Sequence, residues 1–200
     1  PRPETEVLVD VALAGVDVAT PNTDGEVRVL EVGVGTGCIS LSIATERPQT
    51  RVCATDLSPQ AIALATRNRD ALDLQERVEL IECDLVEGVP AELARSFSVL
   101  VSNPPYIPTR VLEQEVPTEV KGFEPELALD GGEDGLDVYR RLLEAAPHML
   151  LPGGMFCVEL YEGHLDKAVH LAEEQGVWES VEVKEDLTHR PRILVAYLAK

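Results

Sequence analysis

Short runs of β-branched and aliphatic residues alternate along this chain with stretches whose apolar positions recur at helical spacing. Residues 27–32 (VRVLEV), 51–55 (RVCAT), 78–83, 98–102 and 155–160 read as strands. A helix opens near Cys38. A second has Ser58 as its cap and Pro59 at its first position, and runs to about residue 73 with Ile62, Ala65 and Leu72 on one face. A third covers 136–150. The pair Gly153-Gly154 reads as a turn before the fifth strand. A fourth helix over 165–175 ends at Gly176, a suitable left-handed cap. Strands at 181–185 and 193–198 close the chain. Alternating β and α elements predict an α/β fold, a parallel sheet with helices on both faces. Residues 186–192 are too few for a crossover helix, so the final strand should pair antiparallel. The expectation is therefore a seven-stranded, mainly parallel sheet with one antiparallel C-terminal strand. Its ligand should bind at the carboxyl ends of the strands, near the switch point.

The stretch from Pro104 to Gly135 resists this periodicity. It is rich in Pro and Gly, and loops of that length are usually functional. From Val111 to Asp137 it carries nine acids and one base, Lys121, which suits either a solvated lid or a wall facing a substrate. The whole chain has a net charge of −19, so a stable complex with nucleic acid or an anionic membrane is not expected. Apolar runs are short and broken by charge, which excludes a transmembrane helix from the sequence reading. A 44% apolar content over 200 residues is enough for one folded domain with a sizeable core. Cys38, Cys53, Cys83 and Cys157 form no CxxC pair and have no His at zinc spacing. They read as buried thiols, with no metal site. Pro1 to Glu6 is polar and shows no signal peptide, so a reducing, cytoplasmic setting is expected.

Three motifs carry chemistry. The first is Glu31-Val-Gly33-Val34-Gly35-Thr36-Gly37, between a strand and a helix. Its glycines allow a sharp turn and close approach of a ligand. A dinucleotide fingerprint would place its third glycine at position 38, which is Cys38, and no P-loop ending is present. A nucleoside without a pyrophosphate is the better fit. The second is a pair of strand-end acids. Asp56 follows the glycines by about twenty residues, where a carboxylate accepts from ribose hydroxyls. Asp84 can accept from an exocyclic adenine amine, with Leu85 against the ring.

The third is Asn103-Pro104-Pro105-Tyr106, at the end of the fourth strand. Asn103 offers a side-chain carbonyl and Pro104 a backbone carbonyl, held in direction by two prolines whose φ is fixed. Two converging acceptors suit a planar NH2 group, and Tyr106 offers a face for stacking. The NH2 of an amide or a base is a poor nucleophile. Accepting both of its hydrogens concentrates electron density on nitrogen, and the gain grows as nitrogen becomes positive. A sulfonium methyl would be a suitable electrophile, needing only in-line positioning. No Ser/His/Asp series competes, and His148, His164, His170 and His189 read as surface residues.

Taken together, EVGVGTG, ATDLS, ECDL and SNPPY resemble class I S-adenosylmethionine-dependent methyltransferases. The opening PRPETE, the tract from Phe123 to Leu136 (FEPELALDGGEDGL) and the closing DL…RPR narrow the resemblance to the HemK/PrmC family. It implies a Rossmann-like fold and transfer of a methyl group from S-adenosyl-L-methionine to the side-chain amide nitrogen of a glutamine in peptide chain release factors, leaving S-adenosyl-L-homocysteine. It also implies that Gly33, Val34, Gly35, Thr36 and Gly37 line the methionine end of the cofactor. Asp56 and Leu57 would lie at the ribose, Asp84 and Leu85 at adenine, and Asn103 between cofactor and amide. Pro104, Pro105 and Tyr106 would complete the glutamine pocket, and Arg2 or Glu4 could contact either ligand or cap the helix.

Two departures stand out. The sequence after the fifth strand is Glu159-Leu-Tyr-Glu-Gly163-His164, where the family has Glu-Ile-Gly leading to Gln; His164 is given no role. The family's helical N-terminal recognition domain does not precede PRPETE here, so residues 1–200 read as the catalytic domain alone. Two alternatives remain at this level: an adenine-amino methyltransferase acting on DNA or RNA, which shares NPPY, and a non-catalytic S-adenosylmethionine-binding module.

Overall fold

The computed structural model describes residues 3–20, 26–114 and 129–200. Its elements are α1 (Pro3–Ala19), β1 (Val27–Val32), α2 (Cys38–Glu46), β2 (Thr50–Asp56), α3 (Pro59–Ala71), β3 (Val78–Glu82) and β4 (Phe97–Ser102). These are followed by α4 (Thr109–Gln114), α5 (Asp137–Met149), β5 (Leu150–Glu159), α6 (Leu165–Gln175), β6 (Trp178–Glu185) and β7 (Pro191–Leu198). The seven strands form one sheet in the order β3-β2-β1-β4-β5-β7-β6. Strands β1 to β5 are parallel, and β7 lies antiparallel between β5 and β6, as the short connection requires.

Period-two alternation in the central strands feeds two apolar layers. Val29, Val99, Val101, Cys157 and Val195 pack with Leu8, Ala12 and Val16 of α1 and Ile39 and Ile43 of α2. Their neighbours Leu30, Leu100, Phe156, Val158 and Leu194 pack with Tyr139, Leu142 and Ala146 of α5 and Ala168 of α6. The Tyr139 hydroxyl, buried in the second layer, donates to the Ala168 carbonyl at 2.7 Å. Helix α1 lies close against the sheet because Gly15 leaves room for the Met155 side chain, which a Cβ would strike.

Several expectations need correction. α3 keeps its Ser58 cap, with the hydroxyl accepting from the Ala61 N–H at 3.3 Å, but it stops at Ala71. Leu72 is therefore outside the helical face and 53% exposed, and Leu74 is buried in its stead. Gly153 and Gly154 do not precede the fifth strand but lie within it, at an irregularity that shifts register between Phe97 and Val99 of β4. Helix α1 was not legible by periodicity and entered only through the PRPETE resemblance. Cys53 and Cys157 are buried, whereas Cys38 and Cys83 are only half-buried; all four are free. Burial pushes the Cys53 thiol up to about 12 and Cys157 higher still. Among the described residues no helix is long and apolar enough to cross a membrane.

Candidate active site

Strands β1 and β4 are neighbours at the switch point, with Val32 in register with Ser102. The Ser102 hydroxyl donates to the Val32 carbonyl at 2.7 Å and ties the two strand ends together. The loops that follow, Gly33–Gly37 and Asn103–Tyr106, therefore emerge side by side. Between them is a cavity of about 350 Å³, with Gly33 to Thr36 on one wall and Asn103 to Tyr106 on the other. Thr5 and Glu31 line it as well. A recess of about 510 Å³ elsewhere, bordered by Arg51, Arg69 and Arg77, is larger. Its guanidiniums are engaged by Glu26, Asp70 and backbone carbonyls, and no candidate residue reaches it. The switch-point cavity is the one that the candidate residues line.

Gly33 and Gly35 have positive φ, and a Cβ built on either meets nothing within 4 Å, so the loop presents bare backbone. Gly37 does not line the cavity. It caps α2 at φ 84°, where a Cβ would lie 3.0 Å from Leu41. Asp56 lies behind the loop: one carboxylate oxygen accepts from the Gly35 N–H at 2.9 Å and the other from the Ser58 N–H at 2.8 Å. Leu57 is 51% exposed. Asp84 is ion-paired with Arg141 at 2.8 Å, and Leu85 adopts φ 46° with its carbonyl accepting from the Thr55 hydroxyl at 2.6 Å. None of these four lines the same cavity as the glycine loop and Asn103. Arg2 and the side chain of Glu4 lie outside the described residues, as does most of the acidic stretch.

The wall formed by Asn103 to Tyr106 is braced by the second half of the family tract. The Ile107 N–H donates to the Leu129 carbonyl at 3.0 Å, and the Gly131 N–H to the Ile107 carbonyl at 2.8 Å. Gly131 and Gly135 lie so close to Tyr106 that a Cβ on either would come within 2.8 Å of its Cα and 2.5 Å of its carbonyl, respectively. His164 packs against Gly135 and edge-on to Tyr161. It is half-buried, unlike His148, His170 and His189, which are exposed as expected; burial lowers its pKa, and its Nδ1 is buried without a hydrogen-bond partner among the described residues.

The methyltransferase small domain model matches residues 15–120, more than half of the chain. The chain belongs to this methyltransferase family. Among curated proteins, it is 37% identical over 199 residues to the release factor glutamine methyltransferase of Clostridium acetobutylicum, covering 98% of this chain and 66% of that protein. It is 43% identical over 176 residues to the protein of the same name from Geobacter sulfurreducens, covering 88% and 57%. Among solved structures, the release factor-specific protein-(glutamine-N5) methyltransferase of Alicyclobacillus acidocaldarius shares 28% identity and superposes with a TM-score of 0.60, covering 100% of this chain and 94% of that one. The chain thus spans just under two thirds, or less, of the two curated relatives named here.

One residue of this methyltransferase domain escaped the sequence reading, although it opens the glycine motif. Glu31 is 1% exposed. Its Oε2 accepts from the Ser40 N–H at 2.9 Å and from the Ser40 hydroxyl, while Oε1 is buried without a partner among the described residues. Burial raises its pKa from 4.5 to about 8. The unfolded chain then ionises near 4.5 while the folded chain keeps the proton, so this group's contribution is complete below pH 4.5 and lost as pH rises to 8. The expected slope for the ligand-free protein is up to about 1.4 kcal/mol per pH unit across that window. Urea unfolding at several pH values should show it, and Glu31→Gln should flatten it; parallel curves for the two proteins would remove Glu31 as the cause.

Proposed function

We propose that this chain is the catalytic part of an S-adenosyl-L-methionine-dependent enzyme that methylates the side-chain amide nitrogen of a glutamine in a peptide chain release factor. The observation that carries this reading is the single cavity shared by a bare glycine loop and the Asn103-Pro104-Pro105-Tyr106 wall. The names of the relatives supply the substrate class. The residues fit the cofactor: Gly33 and Gly35 let it lie on backbone, and an α-ammonium group beside the unpartnered Oε1 of Glu31 would supply the positive charge that lets this buried carboxyl give up its proton and accept. Asp56, with Leu57, would reach ribose at the edge of the loop it holds, and Asp84 with Leu85 would border adenine once Arg141 is accommodated.

When bound, S-adenosyl-L-methionine supplies an electrophilic methyl group on a sulfonium. The chain's own part is to hold the amide. Asn103 and the Pro104 carbonyl accept the two amide hydrogens, which localises the nitrogen lone pair and stabilises the positive charge that develops on it. Tyr106 packs on the carboxamide plane, and the loop sets the line of attack. No covalent intermediate with the chain is needed.

The strong negative charge favours a protein substrate over a phosphate backbone or an anionic membrane surface, and a release factor partner places the activity in the cytoplasm. The test is incubation of the chain with methyl-labelled S-adenosyl-L-methionine and purified release factor, DNA or RNA. Label on one glutamine of the release factor is expected. Label in nucleic acid alone would support an adenine-amino methyltransferase, and cofactor binding without transfer to any acceptor would support a binding module.

A further inference from the structure

The carboxamide of Asn103 can sit in its place two ways, related by a half-turn about its last torsion and nearly identical in shape. Only one presents Oδ1 to the cavity as an acceptor. The other presents NH2, which cannot accept an amide hydrogen. Something in the fold has to choose between them.

We propose that Thr5 and Glu159 are positioning residues that fix the Asn103 amide in its accepting orientation, an inference that rests on the methyl-transfer reading above. The Thr5 hydroxyl lies 3.0 Å from Oε2 of Glu159 and 3.2 Å from Nδ2 of Asn103. A hydroxyl has one hydrogen, and here the Thr5 hydroxyl gives it to Oε2 of Glu159, which in its ionised form only accepts. Thr5 therefore has only lone pairs to offer Asn103. The NH2 edge of Asn103 must turn to Thr5, and Oδ1 is left for the cavity. Thr5 is 5% exposed and Glu159 2%, so water does not compete for these atoms.

The three residues come from the first turn of α1, the loop after β4 and the carboxyl end of β5, 98 and 154 positions apart. This accounts for two sequence features that the site had not absorbed. In the opening PRPETE segment the residue with a task is Thr5. The acid that follows the fifth strand's apolar run is the anchor of the relay. Helix α1 is held on the sheet through Gly15 and Met155, which gives Thr5 a fixed place.

The experiment uses the whole chain, with S-adenosyl-L-homocysteine as the binding probe and purified release factor as acceptor. Thr5→Val keeps the shape and removes the relay. It is expected to lower kcat by roughly tenfold to a hundredfold, with KM for release factor and the affinity for S-adenosyl-L-homocysteine within about twofold. Thr5→Ser should restore most of kcat. Glu159→Met leaves the Thr5 hydroxyl free to donate to Oδ1 of Asn103, which turns the amide over, and should give the same kcat loss; it also serves if Thr5→Val does not fold. The second readout needs no acceptor. The Asn103 side-chain amide resonances, identified by their absence from Asn103→Ala, should exchange with water about tenfold faster in Thr5→Val than in the parent or in Thr5→Ser. Unchanged kcat, or an unchanged amide in Thr5→Val, overturns the relay. A parent that transfers no methyl group to release factor overturns the substrate reading, and the amide resonances then decide the relay alone.

Discussion

Alanine at position 103 is expected to cut turnover with release factor by about a hundredfold to a thousandfold while binding of S-adenosyl-L-homocysteine persists at least in part. Asn103 follows directly on β4, whose end is tied to β1 through Ser102, and the two prolines after it restrict the backbone. Its side chain is held on one edge by Thr5 and lines the cavity. The acceptor it supplies gains strength as charge develops on the amide nitrogen, so its loss falls on the transition state more than on the ground state. Most cofactor contacts assigned above lie on the glycine loop and on Glu31, which the substitution does not touch. The check pairs steady-state kinetics with calorimetric titration of S-adenosyl-L-homocysteine. Turnover within about threefold of the parent would take Asn103 out of the mechanism, and complete loss of binding would make it chiefly a cofactor ligand.

The sheet was legible in the sequence because its central strands are short, β-branched apolar runs such as VRVLEV and SVLVS, near-continuous as strands covered on both faces are. The antiparallel placement of β7 followed from the shortness of one connection. Helix α1 was not legible. Its buried positions Leu8, Ala12 and Val16 are at helical spacing, but Val7, Val9, Val11, Leu13 and Val18 scatter apolar, mostly β-branched residues around them and blur the period. The placement of the glycine loop beside the Asn103 tetrad was legible, since each is contiguous and ends a strand. Glu31 was not. A carboxylate inside a strand shows its meaning only when its burial and its unpaired oxygen are seen. Leu72 misled because a helical face was extended past the residue where the helix ends. His164 was misread for a related reason: its environment comes from Gly135 and Tyr161, and pairing with Gly135, 29 residues earlier in the chain, leaves no local pattern.

The same point separates recognising the DGGEDGL tract from explaining it, and it sets the second large effect. Gly135→Ala is expected to destabilise the fold by about 3 kcal/mol and to lower turnover together with stability. Position 135 has φ 77°, which costs an L-residue about 1–2 kcal/mol. The new methyl group would also lie 2.5 Å from the Tyr106 carbonyl oxygen and against the ring of His164. A backbone oxygen cannot swing aside as a flexible side chain can. The relief available is to move the chain at Tyr106, and with it the wall that faces the glycine loop. Gly176 is the matching control: its φ is 67°, but a Cβ there meets nothing within 4 Å, and it caps α6. Gly176→Ala should cost only the conformational penalty of about 1 kcal/mol and spare activity. For a domain of this size the difference amounts to a further loss of roughly 4–8 °C in Tm for Gly135→Ala. Thermal unfolding and turnover of the two variants side by side decide it. Equal losses would mean that Tyr106 has room to yield, and that the glycine at 135 serves its own turn and not the shape of the site.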